Sequence, residues 1–223
     1  MIGLEMYIAR EIDTYYEDLA ELRRSGRQAI PGGRSGKVVP GGPQYEPVRH
    51  ILNDRQRIAT TQASTLTFFK TPYGQTQDGA VKTLFDTNLS TAGQLSSTQR
   101  FSAYGLAISY QSNSSPGDLR LILNSAWFEL TIGPRKYAGG PLKQYPSAEG
   151  LYGYAGNVSA PGEASTSGIP SVNEWFALAL GSRPIDIPPQ QSFYAEIGFK
   201  TTLALALATD CWVKLLGVLY KEI

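Results

Sequence analysis

Residues 101–111 read FSAYGLAISYQ, and residues 211–221 read CWVKLLGVLYK. In the first stretch Phe101, Ala103, Gly105, Ala107 and Ser109 alternate with Ser102, Tyr104, Leu106, Ile108 and Tyr110. An extended chain with that period of two puts the bulky side chains from Tyr104 onward on one face and the small ones on the other. Working outward, short apolar runs separated by turn residues predict strands over 64–70, 101–111, 126–132, 175–180, 192–200 and 211–221. Several short strands punctuated in this way are the pattern of a sandwich or barrel, so the chain reads as mainly β. The most apolar piece, 203–219, is broken by Asp210 and Lys214 and falls short of the roughly 20 apolar residues of a membrane span. It predicts a buried strand pair. Pro184, Pro188 and Pro189 bracket Ile185-Asp186-Ile187, which places that short strand at an edge or rim, where a missing N–H costs nothing. The stretches 139–171 and 71–85 read as an exposed contact loop and a decorated turn.

The first 25 residues follow another period. Leu4, Ile8, Ile12, Tyr15, Leu19 and Leu22 recur at steps of three or four, with Glu5, Glu11, Asp18 and Glu21 on other faces. This predicts an amphipathic helix. Arg23 and Arg24 in its last turn complement the helix dipole, and Ser25-Gly26 offers a left-handed stop. From there to residue 50 glycines and prolines dominate, apolar periodicity disappears, and Arg27, Arg34 and Lys37 make the segment locally basic. The expected organisation is a helix over 1–25, a Gly/Pro-rich basic arm over 26–50 and a β-domain over 51–223. The arm either bridges neighbouring subunits or is a solvated linker, and its basic residues are candidates for touching a polyanion.

The 223 residues carry 20 Lys plus Arg against 19 Asp plus Glu, so no global charge draws the chain to nucleic acid or a membrane. One cysteine, Cys211, excludes an intramolecular disulfide framework. The acidic start lacks the basic end of a signal peptide, which predicts synthesis in a cytoplasm.

Material for catalysis is scarce. The single histidine, His50, and the single cysteine cannot between them build a zinc site, and Cys211 lies in an apolar run. Gly36-Lys37 invites a phosphate-loop reading, but Pro31 stands five positions before Gly36 and Val38 follows Lys37, so both ends of that motif fail. Asp86, Glu129, Glu174, Asp186 and Glu196 are available for glycan hydrolysis without a spacing that pairs them. No catalytic residue, cofactor or metal is expected. Tyr73, Tyr145, Tyr152 and Tyr154, read as exposed loop aromatics, suit stacking on sugars and suit subunit interfaces equally. Sequons at Asn88, Asn113 and Asn157 carry little weight without a secretion signal.

The order SAWFELTIGPRKY, a long loop, IDIPPQQSFYAEIGFK and WVKLLGVLYKEI, together with TLFDTNLSTAGQLSSTQRFSAYGLAISY, resembles the jelly-roll capsid proteins of tailless icosahedral bacteriophages. The resemblance covers about 65–223 and lies in pattern, with no invariant motif. It implies a single jelly-roll β-sandwich with an N-terminal helix and arm, because two-roll members are longer. It implies a virion structural protein, a non-enzyme made in the host cytoplasm. Its partners would be copies of itself, other virion proteins, and an internal membrane or genome beneath the helix and arm. Helix residues Leu4, Ile8, Ile12, Tyr15, Leu19 and Leu22 would then be subunit contacts, and Arg27, Arg34 and Lys37 would face an anionic interior. The alternative is a phage fibre, vertex or lectin-like module that uses loop tyrosines and Trp175 on carbohydrate.

Overall fold

The computed structural model describes residues 45–111, 114–147, 153–154, 165–166, 175–178 and 184–222. Strand β1 (Tyr45–Ile58) alternates cleanly from Leu52, burying Leu52, Asp54, Gln56 and Ile58 and turning Asn53, Arg55 and Arg57 outward. Short β2 (Thr61–Gln62) and β3 (Leu66–Phe68) follow. A ribbon of β4 (Thr76–Gln77) and β5 (Ala80–Val81) turns at Asp78-Gly79, both at positive φ, as a two-residue hairpin with the twist of its strands demands. Next come β6 (Gln99–Tyr110) and helix α1 (Pro116–Ser125), which starts on a proline at its first turn behind Ser115. Strands β7 (Ala126–Ile132) and β8 (Arg135–Pro141) form a tight hairpin over Gly133-Pro134. Beyond a 3-10 turn at Leu142–Gln144 lie paired β9 (Gly153–Tyr154) and β10 (Ser165–Thr166), then β11 (Phe176–Ala177) and β12 (Ile185–Ile187). The chain ends on β13 (Phe193–Phe199), β14 (Leu203–Ala204) and β15 (Thr209–Glu222).

These strands make two principal antiparallel sheets. One runs β1–β15–β6, with β11 and β12 both on the far edge of β6, and the other runs β3–β13–β7–β8. Between them Leu52, Phe101, Leu106, Ile108, Val213 and Leu215 meet Phe68, Phe128, Leu130, Phe193, Ala195 and Ile197 in one core. Helix α1 carries the chain from β6 in one sheet to β7 in the other, and its Leu119 and Ile122 join that core.

Strict alternation in β6 does not survive. The register to β15 slips where Leu216 opposes Gly105 and Gly217 opposes Ala103, leaving Tyr104 as an extra residue. This bulge reverses the phase, so Phe101 and Ala103 share the inner face with Leu106, Ile108 and Tyr110, rather than Phe101 lying on the small-residue face. Gly217 is required there, since a Cβ would run into the carbonyl of Ser102 and the ring of Phe101.

Strands form within each of the six ranges expected. The boundary expected at residue 50 moves earlier, because Tyr45–His50 pair with 217–222 and belong to β1 rather than to an arm. The strand expected to pair within 203–219 is instead two strands with different partners, β14 on β2 and β15 between β1 and β6. Residues 139–141, expected in a loop, complete β8, and Leu142 is buried. Tyr145, read as an exposed aromatic, is buried against Phe128 and Phe176. Among the described residues strand β12 pairs with β6 alone, at the rim of its sheet. The helix over 1–25 and the arm through residue 44 lie outside the described residues.

Candidate functional site

The loop between β3 and β6 is latched to the β-domain by charge. Asp54, fully buried on the inner side of β1, accepts from Lys82 Nζ at 2.6 Å and from the Phe69 N–H at 2.6 Å. Burial pushes its carboxyl upward, while Lys82, the Phe69 N–H and Thr87 pull against that rise. Lys82 is itself buried, so the pair is shielded from water and neither member is replaceable alone. A second strap joins Arg55 to Asp86 at 2.7 Å and to Asp210 at 2.8 Å, and Asp86 also accepts from the Thr83 N–H and hydroxyl. Asn88 blocks the free edge of β1 in the manner of a strand, its amide oxygen accepting from the Asn53 N–H while its Nδ2 donates to the Ile51 carbonyl. These bonds occupy the side chain of the Asn88 sequon. Between the latches the loop presents Val81, Leu84 and Phe85, which are 59 %, 70 % and 72 % exposed, and Phe85 stands edge-on to Trp212. These side chains make an exposed apolar patch on a loop held by buried and half-buried ion pairs.

His50 faces a cleft of about 250 Å³ bounded by Asn88, Leu89, Gln94, Leu95, Gln99 and Lys221. The bonds of Asn88 fix its Nδ2 toward the ring, so His50 Nε2, 3.2 Å away, acts as an acceptor. Burial, with Lys221 nearby, depresses the imidazole below its ordinary range. No Asp or Glu is among the described residues lining the cleft, and Ser90 is the one hydroxyl side chain among them. Cys211 is buried, and burial pushes its thiol up, which leaves it an inert packing group.

Two carboxylates expected without a pairing do come together. Glu129 on β7 and Glu196 on β13 stand directly opposite each other on the outer face of the four-stranded sheet. Lys136 holds Glu129 at 2.8 Å. On the same face Trp127 lies over Gly198, where a Cβ would enter the indole, and Lys70 sits above the Tyr194 ring. Asp186 is engaged by Arg100 at 2.5 Å and by the Ser102 hydroxyl at 2.6 Å. Glu174 lies outside the described residues. A second cleft of about 550 Å³ runs along Gln56, Gln62, Ser64, Thr67, Lys70 and Gln77, lined chiefly by neutral polar groups. No group of three or more His, Cys, Asp or Glu positioned for a metal occurs among the described residues.

Of the residues expected at contacts, Leu4, Ile8, Ile12, Tyr15, Leu19, Leu22, Arg27, Arg34 and Lys37 lie outside the described residues, as does Tyr152. Tyr73 is exposed beside the latched loop. The sequence placed Val81, Leu84 and Phe85 in or at the end of a decorated turn, 71–85, but not their exposure, which depends on tertiary packing. No protein-family model, curated protein or solved structure matches the chain.

Proposed function

We propose that this protein is a shell subunit of a virion, a single jelly roll that assembles with copies of itself and with other virion proteins and performs no catalysis. The observation that carries the reading is strand order. Taking β1, β3, β6, β7, β8, β12, β13 and β15 as one to eight, the sheets run 1-8-3-6 and 2-7-4-5, the order of a jelly roll, a fold that capsid proteins share with lectins and cupins. Within that set, a metal-dependent cupin chemistry finds no cluster of ligands among the described residues, whereas the latched apolar loop gives a shell subunit its contact. The basic arm with Arg27, Arg34 and Lys37 reaches toward a genome, membrane or neighbour on the inner side.

The test is sedimentation of the full chain beside the double variant Leu84→Asp/Phe85→Asp. The shell reading predicts multi-subunit species for the parent and a shift of at least tenfold in the concentration needed for assembly in the variant. Identical sedimentation of the two would remove the loop from the contact.

The outer face of the four-stranded sheet supports a second reading, a carbohydrate-binding module. Trp127 over Gly198 and the opposed Glu129 and Glu196 combine an aromatic surface with hydroxyl acceptors, the pairing that sugars favour. Glycan binding by a chain that stays small, lost in Trp127→Ala, would select it.

A further inference from the structure

We propose that the cleft between the end of β1, edge strand β3 and the β4–β5 hairpin is a binding site for a short acidic saccharide. At about 550 Å³ it has the size of a small-molecule site. An ordered chain of amides runs along it. The Thr67 carbonyl can only accept, so Gln56 turns its Nε2 to that oxygen at 2.7 Å, which leaves Gln56 Oε1 to accept from Gln77 Nε2. Gln77 Oε1, at the end of the chain, is shielded from water and has no donor among the described residues. An acceptor in that state costs free energy until a donor reaches it, and the cleft that Gln77 lines is the side from which one can come. Gln62 is committed differently. Its Oε1 accepts from the Ala59 N–H and its Nε2 donates to the Ser64 carbonyl and hydroxyl, so the Ser64 hydroxyl keeps its own proton to donate. The hairpin wall is set in advance, because β5 leads into Lys82, which is tied to the buried Asp54.

Charge selects among polar ligands. Arg57, Lys70 and Asp78 line the same cleft and are exposed, and none of them is in an ion pair among the described residues. Lys70 stands over the Tyr194 ring, 4.8 Å from its centroid, which places its ammonium at the rim without neutralising it. Two cations against one carboxylate favour an anion. A bare inorganic anion would leave Gln77 Oε1 and Asp78 without donors, and an apolar ligand would strand every polar group in the lining. No aromatic ring lines the cleft, so a nucleobase would find no surface to stack on. A sugar carrying a carboxylate or sulfate answers each group: hydroxyl donors for Gln77 Oε1 and Asp78, acceptors for the Ser64 hydroxyl, and a charge for Arg57 and Lys70. Trp127 does not line this cleft, so the site is distinct from the sheet face, and the inference does not depend on the shell reading.

The test is an NMR titration of the full chain with sialyllactose, digalacturonate and a sulfated heparin disaccharide, and with lactose as the uncharged control. The expected result is saturable binding of at least one acidic probe, about tenfold or more tighter than lactose, with the Gln56 and Gln77 side-chain amides shifting and the Trp127 indole unmoved. Which acidic probes bind then tells carboxylate from sulfate. The double variant Arg57→Gln/Lys70→Gln, which alters only exposed side chains, should erase the advantage over lactose. Three results overturn the proposal: no binding of any acidic probe, binding that the double variant leaves intact, or shifts centred on the Trp127 indole with Gln77 unmoved. The last would assign the sugar to the sheet face instead.

Discussion

At the scale of single residues, His50 offers the sharpest reading because it is the only histidine in the chain. Burial and Lys221 lower its affinity for a proton, and protonating Nε2 would break its bond from Asn88. The unfolded chain takes up this proton near pH 6.5, while the folded chain does so only at lower pH, so across that window the unfolded state holds more protons. Stability contributed by neutral His50 is therefore complete above about pH 6.5, declines as the pH falls toward the folded value, and changes no further below it. An NMR titration of the single imidazole should show its midpoint below 6.5, and His50→Asn should flatten this part of the stability profile; a midpoint at or above 6.5 would refute the assignment. The sequence placed His50 at the end of the arm, with too little around it for a zinc site, but could not see that it lines a cleft, because Asn88, which orients it, is 38 residues away. Gly217 and Gly198 were equally silent, since a glycine in a strand reveals its need only when the neighbour that approaches it is known.

At the scale of elements, legibility followed the period. Strands whose inner residues are apolar, β6, β7, β13 and β15, stand out in the sequence. Strand β1 did not, because two of its inward positions are Asp54 and Gln56, satisfied by Lys82 and by the Thr67 carbonyl from elsewhere in the chain. Helix α1 carries readable signals, Ser115-Pro116 at its start and Leu119, Ile122 and Leu123 at helical spacing, and they went unused beside the stronger β pattern. Its Asp118 accepts from the N–H groups of Ala206 and Leu207, a tie between helix and distant turn that no local pattern announces. The element with most at stake is the latched loop. Lys82→Met should cost about 3–5 kcal/mol in urea-induced unfolding, because it strands the buried Asp54 carboxylate. The double variant Asp54→Asn/Lys82→Met should recover part of that loss; a single variant within about 1 kcal/mol of the parent would show that the pair does not hold the loop.

At the scale of the whole molecule, the two-sheet architecture follows from many short strands with turn residues between them, whereas the order of strands does not. Order is decided by which distant segments pair, as β1 with β15 across the length of the described chain, and neither strand contains that information alone. The expectation of a jelly roll therefore came from resemblance; the described strands show a mainly β chain of antiparallel sheets with β15 between β1 and β6. The central claim is that this domain exists to be repeated. A lattice needs rigid subunits with fixed contact points, the part that the shell proposal gives to the core, the charged straps and the exposed Val81, Leu84 and Phe85. The most direct measurement is the mass and shape of the purified full chain by light scattering with electron microscopy across salt and concentration. The account predicts closed shells, rings or regular sheets under some of these conditions; a monodisperse monomer under all of them would contradict it.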